Sequence, residues 1–277
     1  MIKLFVSDLD GTLLNRMHRS DEIIDATIDE VLAQGKKFAI ATGRHLHKNH
    51  RVGLTFLDRS LYVICMNGAL VCTPTGEVLS KQVIDQTLIQ EMLERFPEVS
   101  FELVTQEAVL VQRGRWAHYR NITRHTRSLR HIAKHLIAAC VGDYQYCATN
   151  LANEAVLKVD CRIAHEATRK KFRAFLAEKE AWLVDAGYHD EIFEITAATA
   201  NKRNAVQVLL RHLSLEEDQV AVYGNDRNDV EMLAHFVHSY APNNSADVAL
   251  EAANYQLESS YAHSVAHHIR KMATHKE

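Results

Sequence analysis

The stretch Ile2-Lys3-Leu4-Phe5-Val6-Ser7-Asp8-Leu9-Asp10-Gly11-Thr12 is the most informative part of this chain, because an apolar run passes directly into two carboxylates. The run Ile2–Val6 is typical of a short buried strand. Asp8 and Asp10 stand two residues apart, so in near-extended backbone their side chains project to the same side. Open α/β sheets bind ligands at the carboxyl ends of their strands. We therefore expect the pair to face a ligand site; the alternative is an ordinary Asp-Gly turn.

Two carboxylates this close need compensation. Like charges at short range are costly unless a cation neutralises them or one of them carries a proton. Those are the conditions of a metal-dependent aspartyl nucleophile that works with an acid/base partner. The pair Asp8 and Asp10 therefore predicts that chemistry.

Three later segments add groups of the same kind. Thr42-Gly43-Arg44 follows a second predicted strand, where a hydroxyl and an accessible backbone N–H suit a phosphate oxygen. Lys202 opens a predicted helix and could bind phosphate as a point charge. Tyr223 to Asp229 follows another predicted strand with dense oxygen donors, which suit a hard cation such as Mg²⁺. Taken singly, each has a plain structural alternative: a loop, a solvated lysine and an Asx-rich turn.

The order of strands and helices predicts an α/β protein. Phe38–Ala41 and Tyr62–Met66 are further predicted strands, and Ser20 is a candidate cap for a helix that ends at Gly35. Alternation of this kind predicts a Rossmann-like, doubly wound parallel sheet. A hairpin pattern spans residues 69–81 around Pro74-Thr75-Gly76.

From about Ile84 the pattern changes to paired short strands with helices, including a basic, histidine-rich helical stretch between Arg124 and Leu136. The pattern of the first segment returns from Glu191, with a predicted strand at Ile192–Ile195. We therefore expect two domains: a core formed by 1–83 plus 190–277, and an inserted α+β cap domain at 84–189.

Composition narrows the class of protein. The chain has 277 residues and a formal net charge of −3, which argues against a nucleic-acid-binding surface. Its longest apolar runs, including Leu61–Met66, are far shorter than a membrane span. We expect a cytoplasmic protein without nucleic-acid or membrane partners, as a monomer or homodimer.

Together, the four segments resemble the motifs of the haloacid dehalogenase superfamily, and more narrowly those of Cof-type sugar phosphatases with a large α/β cap. The resemblance covers the core throughout, whereas the cap matches in position and size only. The matching residues are Asp8 to Leu14, Thr42-Gly43-Arg44, Asn67-Gly68-Ala69, Lys202, and Gly224 to Asp229 with Glu231-Met232-Leu233.

The resemblance implies a Mg²⁺-dependent phosphatase acting on a small phosphorylated metabolite. Asp8 would be the nucleophile that forms an aspartyl-phosphate, and Asp10 would protonate the leaving oxygen and later activate water. The implied phosphate-binding residues are Leu9, Thr42, Gly43, Lys202 and Asn228. The implied metal ligands are Asp8, Asp10 through its backbone carbonyl, Asn225 and Asp229.

Position 225 departs from the family pattern, which has Gly-Asp-x-x-Asn-Asp in the last motif. Asn225 keeps a carbonyl oxygen but lacks the charge of the usual aspartate, so weaker metal binding is expected. Two alternatives to a phosphatase stay open: a phosphomutase of the same superfamily, and a catalytically weakened binding or regulatory protein on this fold.

Substrate specificity is expected to lie on the cap. A basic and aromatic cluster occurs there; the alternative is an ordinary surface. Its members are Arg113, Arg115, His118, Tyr119 and Arg120.

Overall fold

The computed structural model describes residues 1–47, 51–123, 143–149, 151–187 and 190–274, and these form two compact units. The first unit comprises Met1–Arg44, Arg51–Lys81 and Ala200–Glu277, and the second comprises His45–His50 and Gln82–Thr199. The predicted helical stretch between Arg124 and Leu136 lies outside the described residues.

The first unit is built on a sheet in which eight strands are described. Numbered along the chain, they are β1 (Leu4–Ser7), β2 (Lys37–Ala41), β3 (Tyr62–Cys65), β4 (Leu70–Cys72), β5 (Val78–Lys81), β12 (Val220–Tyr223), β13 (His238–Pro242) and β14 (Tyr255–Leu257). Their order is β14-β13-β12-β1-β2-β3-β4-β5. The pairs from β14 to β3 are parallel, whereas β4 and β5 are antiparallel additions at one edge.

Helices cover this sheet and explain its apolar strands. They are Glu22–Ala33, Lys202–Leu213, Val230–His235, Asp247–Ala252 and Ser264–Thr274. Leu4 and Val6 belong to a buried cluster with Leu209 of the second of these helices. Phe5 alternates to the opposite face and is also fully buried. A mainly parallel sheet whose central strands β1 and β12 are buried on both faces confirms the predicted doubly wound α/β fold.

The first helix begins one residue later than the sequence indicated. Its N-cap is Asp21, whose side chain accepts a hydrogen bond from the Ile24 backbone N–H at 3.3 Å, and not Ser20. Ser20 instead accepts from the Thr55 backbone N–H at 2.9 Å. Both residues are good cap formers, so the local sequence did not separate them.

The second unit contains a sheet in which six strands are described, mostly antiparallel. They are β6 (Glu102–Val104), β7 (Val109–Val111), β8 (Tyr144–Tyr146), β9 (Lys158–Arg162), β10 (Leu183–Asp185) and β11 (Ile192–Ala197), in the order β10-β11-β9-β6-β7-β8. The accompanying helices are Gln86–Arg95, Arg115–Thr123 and Glu166–Glu178. Ring contacts join Phe172 to Phe96, Phe101 and Phe193, and these buried rings form an aromatic cluster.

Strand β11 belongs to the second unit, and not to the core as predicted. Ile192–Ile195 was predicted to be a core strand, but it pairs antiparallel with β9 and β10 in the second unit. The chain re-enters the first unit only at Ala200. The partner β9 lies about thirty residues earlier, and such non-local pairing leaves no mark on the local pattern.

No helix among the described residues is long and apolar enough to cross a membrane.

Candidate active site

Three of the predicted segments begin at the carboxyl ends of neighbouring parallel strands in the first sheet. β1 and β12 are adjacent and parallel, with Ser7 opposite Tyr223, so Asp8 and Gly224 begin neighbouring loops. β2 flanks β1 on its other side and runs into Thr42. Open α/β sheets bind ligands in the crevice at the carboxyl ends of their strands, which is where these three segments lie.

Lys202 joins two of these loops through a buried ion-pair triad. Its Nζ lies 2.7 Å from Asp8 Oδ1 and 2.6 Å from Asp229 Oδ1, and its side chain has no solvent exposure. Burial raises the pKa of Asp8 to about 7, although the Lys202 ammonium opposes that effect. Burial alone would lower the pKa of Lys202, but Asp229 and Asp8 outweigh it and raise that pKa above its ordinary value. The site therefore places a charged Lys202 beside Asp8, an aspartate whose pKa is raised.

The helix start explains how Lys202 reaches this position. Asn201 caps the helix by accepting a hydrogen bond from the Asn204 backbone N–H at 2.8 Å. Gly68 packs against the backbone of Asn201 so closely that a Cβ there would clash. The turn that contains Gly68 thus fixes the first residue of the helix, and with it the lysine.

Asp229 uses both of its oxygens within the site. Oδ1 accepts from Lys202, and Oδ2 accepts from the backbone N–H groups of Asn225 at 2.8 Å and Asp226 at 3.1 Å. These contacts favour a positioning role for Asp229, because it fixes both the lysine and the loop after β12. Its role as a metal ligand stays a prediction.

Asp10 lies next to two basic residues that the sequence analysis gave no role. Arg44 grips its carboxylate with two nitrogens, with Nε 2.6 Å from Oδ2 and a second contact to Oδ1. His18 Nδ1 lies 2.7 Å from Oδ1. Burial by itself raises the pKa of Asp10, but the hydrogen bonds and charge of Arg44 and His18 prevail and lower it. The two neighbouring carboxyls, Asp8 and Asp10, are thereby pushed toward opposite protonation states.

Asn225 lies among three oxygens. One end of its amide is 3.1 Å from Asp8 Oδ2, 3.0 Å from the Asp10 backbone oxygen and 3.0 Å from Thr12 Oγ1. The other end lies over Gly11, whose φ is +82° and where a Cβ would collide with the amide. The glycine of the Asp-Gly turn is therefore needed both for its backbone conformation and for room.

The residues around Asn225 fit a hard cation. Octahedral Mg²⁺ with ligand distances of about 2.0–2.1 Å places neighbouring ligand oxygens about 2.9 Å apart. The Asn225 amide end has that spacing from both Asp8 Oδ2 and the Asp10 carbonyl. Within the described part of the chain, no three His, Cys, Asp or Glu side chains converge, so an ion here would also rely on the amide and backbone oxygens.

The predicted phosphate-binding residues are less uniform. Thr42 is buried, and its Oγ1 accepts from the Arg44 backbone N–H at 3.1 Å. The Leu9 side chain is fully buried, so only its backbone could meet a phosphate. The Asn228 side chain donates to Asn67 Oδ1 at 2.9 Å.

Asn67 is a further candidate, which the sequence marked only as part of the resemblance. It is 3% exposed with φ +56°, and its Nδ2 is a buried donor without a hydrogen-bond partner. Residues held in this conformation cluster at functional sites.

Within the second unit, the predicted specificity cluster divides into buried and exposed members. His118 is buried, with Nδ1 2.8 Å from Ser100 Oγ and Nε2 3.0 Å from Glu102 Oε1. Arg113 donates to the Pro97 carbonyl at 2.6 Å, and Arg115 lies over the Tyr146 ring. His118 therefore belongs to the interior of this unit.

The chain is similar to known proteins over nearly its whole length. Residues 5–269 match the family model for haloacid dehalogenase-like hydrolases. "Putative phosphatase YxeH" of Bacillus subtilis (strain 168) is 28% identical over 279 residues, which cover 100% of both chains. An "HMP-PP phosphatase" of Serratia proteamaculans (strain 568) is 24% identical and matches 88% of this chain and 85% of its own.

Solved structures agree in fold. TM0651 from Thermotoga maritima superposes with a TM-score of 0.80 at 19% identity, over 99% of each chain. The subclass IIB sugar phosphatase BT4131 superposes with a TM-score of 0.76 at 20% identity, over 98% of each chain. At these identities the likeness concerns the fold.

Proposed function

The chain belongs to the haloacid dehalogenase-like hydrolases, and from this membership we propose that it is a Mg²⁺-dependent phosphatase of small phosphomonoesters, with Asp8 as nucleophile. The observation that carries the proposal is the position of Asp8. It lies at the end of a central parallel strand, beside the buried Lys202 at 2.7 Å and the Asn225 amide at 3.1 Å. The phosphatase names of the relatives, and the sugar phosphatase among the structural neighbours, support this substrate class.

The first step transfers the phosphoryl group to the enzyme. An Asp8 carboxylate oxygen attacks phosphorus, the ester P–O bond breaks, and the leaving oxygen takes a proton from Asp10. Lys202 stabilises the ionised form of Asp8 that this attack requires. Mg²⁺, held by Asp8, the Asp10 carbonyl and Asn225, would offset the negative charge of the phosphoryl oxygens.

The second step regenerates the enzyme. Asp10, now ionised, accepts a proton from a water molecule as the water oxygen attacks phosphorus, and the bond to Asp8 breaks to release inorganic phosphate. The Arg44 and His18 contacts favour the ionised state of Asp10 that this step needs.

Arg44 connects substrate binding with the protonation of Asp10. An incoming phosphate is a competing bidentate partner for the guanidinium. When Arg44 turns to the phosphate, Asp10 loses the contact that lowers its pKa and takes up the proton for the first step more easily.

The second unit is, on this proposal, a cap that selects the substrate and moves during turnover. Domain closure of this kind is expected on roughly microsecond-to-millisecond timescales. Relaxation dispersion at residues flanking 81/82 and 199/200, with and without vanadate, tests the movement. Flat dispersion profiles in both states would contradict it.

The covalent mechanism is tested by Asp8→Asn, with Asp160→Asn as a matched control. Both aspartates are partners of a buried lysine, and burial raises the pKa of each to about 7. Phosphate release from a panel of sugar phosphates with Mg²⁺ should fall by about 10⁴-fold or more in Asp8→Asn only. Borohydride added during turnover should convert residue 8 of the wild type to homoserine, detectable by peptide mass. A folded Asp8→Asn protein with near-normal turnover would refute the proposal.

A further inference from the structure

The surroundings of the Asn225 amide distinguish its two ends, because the inner end faces acceptors and the outer end faces donors. The inner end of the amide faces Asp8 Oδ2 and the Asp10 carbonyl oxygen, and both of these atoms can only accept a hydrogen bond. If nitrogen occupies that end, its two N–H bonds match the two acceptors. If oxygen occupies it, three oxygens crowd together, which is stable when a cation lies among them.

Thr12 is suited to both orientations. Its hydroxyl lies 3.0 Å from the same amide end and is 1% exposed. A hydroxyl donates through its hydrogen and accepts through its lone pairs. It can therefore donate to the amide oxygen in one orientation and leave its hydrogen elsewhere in the other.

The backbone of Asn225 is fixed by hydrogen bonds, so the remaining freedom of its side chain is which end of the amide faces inward. The Asn225 backbone N–H donates to Asp229 Oδ2 at 2.8 Å, and its carbonyl accepts from the Ala246 N–H at 2.9 Å. Gly11 packs against the outer end of the amide. A half-turn about the last side-chain bond exchanges nitrogen and oxygen. With oxygen inward, the amide N–H groups face donors at the outer end, so this orientation needs a cation at the inner end to offset that contact.

We propose that Asn225 is a two-state ligand of the metal site. Without metal, its N–H groups donate to Asp8 and to the Asp10 carbonyl and stand in for the cation. When Mg²⁺ binds, the amide turns and presents its carbonyl oxygen. The inference rests on the proposed function for the identity of the metal, and it adds a reason for an amide at a position where the family pattern has a carboxylate.

A carboxylate at this position would behave differently. It has no N–H to offer, so without metal it would place a negative charge against Asp8 and the Asp10 carbonyl. With metal it would contribute a charged oxygen, which hard cations prefer. Asparagine therefore gives a metal-free site that is stable, at the expense of affinity for Mg²⁺.

Thermal unfolding of Asn225→Asp and wild type, in EDTA and in a Mg²⁺ series, tests the proposal without any substrate. In EDTA the variant should unfold several degrees below the wild type. Mg²⁺ should raise its melting temperature more than that of the wild type, and calorimetry with Mg²⁺ alone should give about tenfold tighter binding, or about 1.4 kcal/mol.

Asn254→Asp is the matched control. The Asn254 side-chain nitrogen likewise donates to two oxygen acceptors, but here both are uncharged backbone carbonyls, those of Phe236 at 3.1 Å and Val237 at 3.2 Å. An aspartate there should destabilise the protein to the same degree with and without Mg²⁺. Rescue by Mg²⁺ in Asn225→Asp alone is the expected difference.

The amide itself can be observed by ¹⁵N NMR of the Asn225 side chain. In EDTA its N–H signals should show slow solvent exchange, and Mg²⁺ should remove that protection. Equal stability of Asn225→Asp and wild type in EDTA, or an amide signal unchanged by saturating Mg²⁺, would overturn the two-state ligand. Neither result bears on phosphatase activity, and absence of phosphatase activity would leave these measurements intact.

Discussion

The two units each contain a buried lysine between two carboxylates, and only one of these triads is placed for catalysis. In the first unit Lys202 lies 2.7 and 2.6 Å from Asp8 and Asp229. In the second, Lys158 lies 3.0 Å from Asp160 and 2.7 Å from Glu194. Burial raises the pKa of Asp160 to about 7, as it does for Asp8. A perturbed pKa beside a buried lysine therefore does not identify an active site by itself.

The backbone around each triad makes the difference. Lys158 and Asp160 are two residues apart on β9, and Glu194 lies opposite Asp160 on β11, so all three side chains belong to paired strands and not to loops. Asp8, Lys202 and Asp229 come from separate loops and a helix start. Only there do a second carboxyl with a lowered pKa, Asp10, and an amide beside Asp8 join the triad. The loops that follow parallel strands supply these additional groups, and the paired residues of antiparallel strands do not.

Replacing each lysine by methionine should separate the two triads most strongly. Lys202→Met should lower kcat by about 10²–10³-fold, because the charge that keeps Asp8 ionised and balances the phosphoryl oxygens is lost. Lys158→Met should keep kcat within about tenfold. Both should lose about 3–5 kcal/mol of stability, since each leaves buried carboxylates without a partner. Steady-state kinetics of protein shown to be folded by circular dichroism checks this, and equal losses of kcat would break the comparison.

The pH dependence of stability should distinguish the triads by their response to Mg²⁺. Burial gives both Asp8 and Asp160 a folded-state pKa of about 7, above the ordinary aspartate value of 3.8. Between those values the native state binds more protons than the unfolded state, so stability falls as pH rises from about 4 to 7. Each carboxyl contributes on the order of 1 kcal/mol per pH unit at most.

Asp8→Asn and Asp160→Asn should each flatten part of that slope in EDTA. Mg²⁺ should flatten the part that belongs to Asp8, because a bound cation favours the ionised carboxylate, and leave the part that belongs to Asp160. Urea unfolding at pH 5 and pH 8 measures both slopes. A Mg²⁺ effect that survives in Asp8→Asn would contradict the assignment of the metal site.

The sequence predicted what is local and periodic. Apolar runs predicted the strand before Asp8, and the polar residues that follow predicted strands or open a predicted helix included Thr42, Lys202 and Asn225. The alternation of predicted strands and helices predicted the doubly wound fold. The helix Asp247–Ala252 and strand β14 were not predicted.

What the sequence did not predict depends on distant partners. Arg44 meets Asp10 across thirty-four residues, and its role is visible only when β1 and β2 lie side by side. The Lys158 triad joins β9 to a strand assigned to the wrong unit. Ion pairs and strand pairing of this kind depend on topology, and alternation along one strand gives no information about which strand lies next to it.

The last expected effect is the smallest and concerns Asp10, the second carboxyl beside the Lys202 triad, which has no counterpart beside the Lys158 triad. In Arg44→Gln the two guanidinium contacts to Asp10 are lost, whereas burial, which raises the pKa of this carboxyl, remains. The pKa of Asp10 should therefore rise, and so should the pH above which kcat/KM falls, because Asp10 is then protonated over a wider range. Arg162→Gln is the counterpart in the second unit, where Arg162 binds Glu191 through Nε at 3.1 Å and a terminal nitrogen at 2.9 Å. That variant should leave the profile unmoved. Carboxyl-carbon NMR titration of the metal-free protein measures the Asp10 pKa directly; an unchanged pKa in Arg44→Gln would mean that His18 and the surrounding backbone, and not Arg44, keep Asp10 ionised.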